Sequence, residues 1–179
     1  VSLKQKAITS VVCSVVALLG VVTSKAPELT TSEQGLAHIL DMEGCRLKAY
    51  QCSADRWTIG AGHAHGVNQG DTITLDQAAD YFIEDVAKAE KVVKKAITQT
   101  PNQGEFDMMV SFVFHMGSGN FQRSTLLKKF NAGLNAPACE QYLRWVYVNG
   151  QSCHDPKADC EGIVSRRQVE RDVCLTGWN

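Results

Sequence analysis

Glu43 is the side chain around which the chemistry of this chain is best read. The segment before it has Leu36, Ile39 and Leu40 at helical spacing, and Glu43 falls seven residues after Leu36 on the same apolar stripe. A core residue is expected there, and an acidic one stands in its place. Gly44 follows as a left-handed helix stop. A carboxyl group partly shielded from water keeps its proton toward neutral pH, which is what a general acid needs. The element that must position it is an amphipathic helix, opened by a capping box from Thr30 to Glu33 or from Thr31 to Gln34.

Eight residues separate Glu43 from Cys52 and five more separate Cys52 from Thr58, after which the chain reads Thr58-Ile59-Gly60-Ala61-Gly62-His63 and continues rich in glycine. This resembles the phage-type lysozyme family of glycoside hydrolases, whose pattern is Glu, eight residues, Asp, five residues, Thr, then Ile-Gly-x-Gly-His. Cys52 departs from it, standing where most members carry Asp, and it resembles the subset with an N-terminal signal-arrest-release segment, which carries Cys there. The resemblance covers essentially the whole chain. It implies a mainly helical α+β fold with two lobes, a small β-sheet lobe and a helical lobe. It further implies a muramidase that cleaves the β-1,4 bond between N-acetylmuramic acid and N-acetylglucosamine in peptidoglycan, as a phage endolysin. No metal or organic cofactor is implied, and a monomer is expected.

In that reading Glu43 protonates the leaving oxygen while Cys52 and Thr58 hold and polarise the attacking water, the division of labour that glycoside hydrolysis requires. Inversion by a single displacement is expected, and whether Cys52 serves as base, nucleophile or water-holder is left open. By the same resemblance Arg166, in the run Ser165-Arg166-Arg167-Gln168-Val169-Glu170-Arg171, reaches the catalytic glutamate; a solvated basic helix face is the alternative. His115, Gly117 and Asn120 match a cleft-lining turn and take a supporting or substrate-binding role. His63 and His65 are read as structural. A lytic transglycosylase and a non-catalytic, membrane-tethered peptidoglycan-binding module are the competing functions.

The 179 residues suffice for one domain with a short appendage, and a net charge of −1 leaves no electrostatic footprint for nucleic acid. Seven cysteines point to an oxidising compartment, and an odd number leaves one thiol over. Ala7 to Val22 is a mostly apolar run of 16 after Lys4 and Lys6, diluted by Thr9, Ser10, Ser14 and Gly20. A cleaved signal peptide, a permanent anchor and a signal-arrest-release segment compete for this run; the resemblance favours the third, which makes residues 1–26 a signal-arrest-release membrane segment with its linker and residues 27–179 the catalytic domain. The partners expected are peptidoglycan and, reversibly, the inner membrane; the location is the host inner membrane facing the periplasm, then the periplasm after release. Cys13, Cys45 and Cys52 form the expected switch: a Cys45–Cys52 bond cages Cys52, and Cys13, once out of the bilayer, attacks Cys45 and frees it. The resembling subset includes members regulated in this way.

The remaining elements are read coarsely. Leu47 to Gln51 and Trp57 to His63 form paired strands. A long helix starts at a Thr74–Gln77 capping box and runs to Ile97. A buried helix ends at Gly117, a break at Gly117 to Asn120 follows, and a helix capped by Ser124 and Gly133 comes next. Helices around Ala138 to Val146 and Val164 to Leu175 flank a polar connection from Asn149 to Gly162. Cys139 and Cys174 could bridge the flanking helices, and Cys153 and Cys160 could staple the connection. A zinc site from Cys153, His154 and Cys160 is the weaker alternative.

Overall fold

The computed structural model describes residues 13–26, 28–51 and 55–178. It is mainly helical with two small sheets. The chain divides into two compact units, one of Val1–Pro27 with Glu43–Ile83, the other of Glu28–Met42 with Glu84–Asn179.

In the first unit, α1 (Val15–Lys25) opens on Ser14, whose hydroxyl accepts from the Ala17 amide. Here the expected membrane segment is corrected over its described part; residues 1–12 of it lie outside the described residues. No helix among the described residues is long and apolar enough to cross a membrane. The 11 residues of α1 span only about 16 Å at 1.5 Å each, about half of a hydrocarbon core. The protein supplies the burial that the bilayer was expected to supply: Leu18 and Val22 are fully buried. Cys13 is joined to Cys45, and Lys25 contacts Asp76 at 2.8 Å and Asp80 at 2.7 Å. The inner-membrane partner and the membrane-held location rested on that segment and fall with it.

After α2 (Glu33–Glu43), strands β1 (Arg46–Gln51) and β2 (Trp57–Gly60) pair antiparallel, with Tyr50 opposite Thr58 and Gln51 opposite Trp57. The other side of β1 is closed by residues 71–73, where the Ala49 amide donates to the Asp71 carbonyl and the Ile73 amide to the Leu47 carbonyl. The capping box of Thr74 and Gln77 is present, with both reciprocal bonds made, and starts α3 (Leu75–Ala96). Ala78, Ala79, Phe82, Val86, Ala89 and Val93 are its buried stripe.

The second unit is built on α4 (Gln103–Met116), which is buried from Gly104 to Val113. Its buried polar residues Glu105, Asp107 and Ser111 are each hydrogen-bonded, as burial in a core requires. Asn102 and Glu105 form a full capping box at its start, and Gly117, at φ 81°, closes it. The expected break at Gly117 to Asn120 is instead a short helix, α5 (Ser118–Arg123), followed by α6 (Thr125–Asn131), which Ser124 caps. The helix expected over Ala138 to Val146 is a short α7 (Asn135–Cys139) and a 3-10 turn (Glu140–Arg144). The polar connection holds a hairpin, β3 (Tyr147–Val148) and β4 (Gln151–Ser152), turned by Asn149 at φ 49° and Gly150 at φ 78°. Positive φ at both central residues is what a two-residue hairpin with right-handed strand twist demands, and Asn-Gly is its usual sequence. A second 3-10 turn (Pro156–Ala158) leads to α8 (Glu161–Thr176). Disulfides join Cys139 to Cys174 and Cys153 to Cys160, so the second pair has no thiolates left for zinc. Phe112 is the aromatic centre, its ring edge-on to Trp145 at 4.9 Å and to Tyr142 at 5.9 Å.

Candidate active site

Glu43 is the last residue of α2, half-buried beyond the stripe of Leu36, Ile39 and Leu40. Gly44, at φ 69°, turns the chain out of the helix. Cys45 follows, buried and bonded to Cys13, so the residue two beyond the carboxyl is covalently held. The start of α2 differs from the expected boxes. Ser32 is the cap, its hydroxyl accepting from the Gly35 amide at 3.1 Å. Thr31 is unavailable because its amide and hydroxyl both donate to Glu90 Oε1, at 2.7 and 2.8 Å, and the Thr30 hydroxyl accepts from Lys94.

Thr58 lies on β2, 4% exposed, and its hydroxyl donates to the Arg56 carbonyl at 3.2 Å. That bond uses the one hydroxyl proton and leaves the oxygen lone pairs to accept. Glu43 and Thr58 belong to the same unit. Cys52 lies outside the described residues. The three disulfides join the six cysteines other than Cys52. His63 is buried, stacks on Tyr81 with ring centres 4.3 Å apart, and meets the His65 carbonyl through Nε2 at 3.1 Å.

The second unit holds a buried charge cluster that sequence reasoning reached only in part. Glu170 of α8 is fully buried. It accepts from Ser111 Oγ at 2.7 Å, from Arg166 Nε at 3.2 Å and from Arg167 Nη1, and His38 Nε2 is 3.9 Å away. Burial opposes its charge, yet His38, Arg167, Arg166 and the Ser111 hydroxyl together hold its pKa below the ordinary glutamate value. Arg166 is 4% exposed and Arg167 0%, so neither is on a solvated basic face. Arg166 also donates to Ser111 through Nη2, to the carbonyl at 3.3 Å and the hydroxyl at 3.2 Å. Arg167 donates from Nη2 to Nδ1 of His115. Burial, then Arg166 and Arg167, push the His115 pKa down to about 3, against the opposing charge of Glu170.

His115, Gly117 and Asn120 are brought together at the α4–α5 turn. The Gly117 amide donates to the Val113 carbonyl, and the Asn120 amide donates to the Met116 carbonyl at 2.8 Å while accepting from Arg123. Glu170, Ser111 and His38 were missed as members of a cluster. The signal for Glu170 was present, since it stands three and four residues beyond the two arginines, where helical neighbours meet.

Comparison with known proteins gives one consistent result. The sequence model of the family described as Phage lysozyme matches residues 40–170. An endolysin of Acyrthosiphon pisum secondary endosymbiont phage 1 is 42% identical over 142 residues, covering 78% of this chain and 94% of that protein. A SAR-endolysin of Bacteriophage PS119 is 33% identical over 137 residues, 76% of this chain and 78% of that protein. Among solved structures, the active form of the P1 phage endolysin Lyz superposes with a TM-score of 0.82 at 26% identity, over 93% of this chain and 96% of that one.

Proposed function

The chain belongs to the phage lysozyme family, and from that premise we propose how its residues act. It is an endolysin, a muramidase that hydrolyses peptidoglycan. Glu43 is the general acid that protonates the glycosidic oxygen as the bond breaks. Thr58 and Cys52 hold the water that attacks the anomeric carbon, and inversion follows from a single displacement. The observation that carries the assignment is the placement of Glu43: a half-buried carboxyl ends an otherwise apolar helix face, and Thr58, with its proton committed to a carbonyl, lies in the same unit.

Control by disulfide exchange fits the observed pairing. With Cys45 bonded to Cys13, the bond that would cage Cys52 cannot form at the same time. The covalent partner of Cys45 therefore distinguishes a caged from an uncaged Cys52.

Digestion of purified peptidoglycan tests the assignment. Glu43→Gln is expected to lower the rate by roughly 10²- to 10⁴-fold while leaving the fold and substrate binding intact. Free reducing ends in the products identify attack by water, whereas ring-closed products would replace the hydrolase reading by a transglycosylase. Digestion by Glu43→Gln at the wild-type rate would remove Glu43 from the chemistry.

A further inference from the structure

The two-residue turn between β3 and β4 is Asn149-Gly150, and no other asparagine in the sequence has a glycine after it. Asn68 and Asn102 precede Gln, Asn131 and Asn135 precede Ala, and Asn120 precedes Phe121. A glycine has no Cβ, so its main-chain nitrogen is uncrowded and its backbone turns freely. Both turn residues are exposed. Neither the Asn149 carboxamide nor the Gly150 N–H has a hydrogen-bond partner among the described residues. A carboxamide carbon and the main-chain nitrogen that can close a five-membered ring on it are thus both unengaged and in contact with water.

We propose that Asn149 is a self-modifying site, where water converts the carboxamide to an aspartyl or isoaspartyl residue without an enzyme. The Gly150 nitrogen gives its proton to hydroxide and attacks Cγ of Asn149; the Cγ–Nδ2 bond breaks, and ammonia leaves with a proton from water. Water then opens the cyclic imide. Attack at Cγ restores the ordinary main chain and leaves a side-chain carboxylate, whereas attack at the main-chain carbonyl carbon leaves Gly150 joined through Cγ. One ammonia is lost, one water is gained, one negative charge is added, and nothing is oxidised or reduced. The two products differ in what they do to the hairpin. Asp-Gly suits the same positive-φ turn, so the aspartyl form keeps the strands paired. The isoaspartyl form routes the main chain through Cβ, and the pairing of Tyr147 with Ser152 and of Val148 with Gln151 loses its register. The Cys153 amide donates to the Val146 carbonyl at 2.8 Å outside those pairs, and Cys153 is held to Cys160, so the change is confined to the tip. The proposal is independent of the muramidase reading.

Ageing the intact protein in mildly alkaline buffer tests it. Peptide maps should show ammonia loss at Asn149 before any other asparagine, with both products present and the isoaspartyl one accepting a methyl group from an isoaspartyl methyltransferase. Asn149→Gly, whose Gly-Gly turn also fits the hairpin, should gain no such methyl acceptor and should keep the strand pairing. Asn149→Asp should co-elute with the aspartyl product on ion exchange and retain the amide protection of the hairpin, which the isoaspartyl product should lose. An unmodified Asn149 in the folded protein, beside rapid conversion in the denatured chain, would overturn the proposal, because the fold would then protect the turn. The aspartyl product alone would also overturn it, since direct hydrolysis of the side chain, and not attack by Gly150, would be the route.

Discussion

The indole Nε1 of Trp178 donates to Oδ2 of Asp107 at 2.7 Å, tying the end of the described chain to the middle of α4. Asp107 is fully buried and also accepts from the Ser32 amide at 3.0 Å, the Ser32 hydroxyl, and Gln103 Nε2 at 2.7 Å. Since Ser32 caps α2, this carboxylate anchors the start of the helix whose last residue is Glu43. Removing one charge-assisted bond costs about 1.5–3 kcal/mol. Trp178→Phe should lower stability by that amount in urea melts, and Asp107→Leu by more, because three sets of donors then lose their acceptor. Equal stability of Trp178→Phe and wild type would show that the bond is replaced by water at no cost.

Acid should destabilise the protein from about pH 6.5 downward. His115 has a folded pKa of about 3, so between that value and its unfolded pKa near 6.5 the unfolded chain binds a proton that the folded one does not. Its contribution is therefore present above pH 6.5 and is lost as pH falls, by about 1.4 kcal/mol per pH unit for one proton. Glu170, whose folded pKa is lowered, adds in the same direction at more acidic pH, its stabilisation present above the unfolded glutamate value and lost as pH falls through the folded one. Urea midpoints at pH 7, 5.5 and 4.5 should fall more steeply in wild type than in His115→Gln. Parallel curves would exclude His115 as the source.

Two glycines should respond oppositely to alanine. A Cβ on Gly104 would meet the Val173 carbonyl oxygen at 2.7 Å and the Gly177 Cα at 3.1 Å, both backbone. Relief requires α4 and α8 to separate, so Gly104→Ala should cost about 1–3 kcal/mol. Gly162, near the start of α8, has nothing within 4 Å of that position. Gly162→Ala should stabilise by roughly 0.5–1 kcal/mol through the smaller entropy of its unfolded chain. Thermal melts of the two variants give the comparison directly, and a melting temperature for Gly104→Ala at or above wild type would contradict the close packing of the two helices.

The two structural disulfides of the second unit close loops of different length, with sequence separations of 35 for Cys139–Cys174 and 7 for Cys153–Cys160. The chain-entropy relation gives about 3.8 and about 2.4 kcal/mol respectively. Double replacement of Cys139 and Cys174 by alanine should therefore lower stability by more than double replacement of Cys153 and Cys160 by serine. The reverse order in denaturant melts would mean that native packing, and not the unfolded chain, dominates.

What the sequence determined by itself is local. The Thr74–Gln77 box, the Ser124 cap, the stop at Gly117 and the stripe leading to Glu43 depend on neighbours within one or two helical turns, and the folded chain carries each of them. The mainly helical architecture with a small β hairpin was legible for the same reason, together with the spacing of Glu43, Cys52 and Thr58. The Asn149-Gly150 hairpin is equally local in its signal, within a stretch whose composition shows only a polar connection.

Only the tertiary structure decided which partner each ambiguous residue takes. Ser32 caps α2 because Thr31 is taken by Glu90, 59 residues away. An apolar run with interspersed small polar residues has the same pattern whether lipid or protein covers it; Leu18, Val22 and the contacts of Cys13 and Lys25 place its described part against the protein. Arg166 and Arg167 have the composition of a solvated basic face. They are buried because Glu170 and Ser111 supply, from two helices, the anion and hydroxyl that make burial of two guanidiniums tolerable. Pattern reports periodicity along one element, whereas desolvation and charge pairing are settled between elements far apart in the chain.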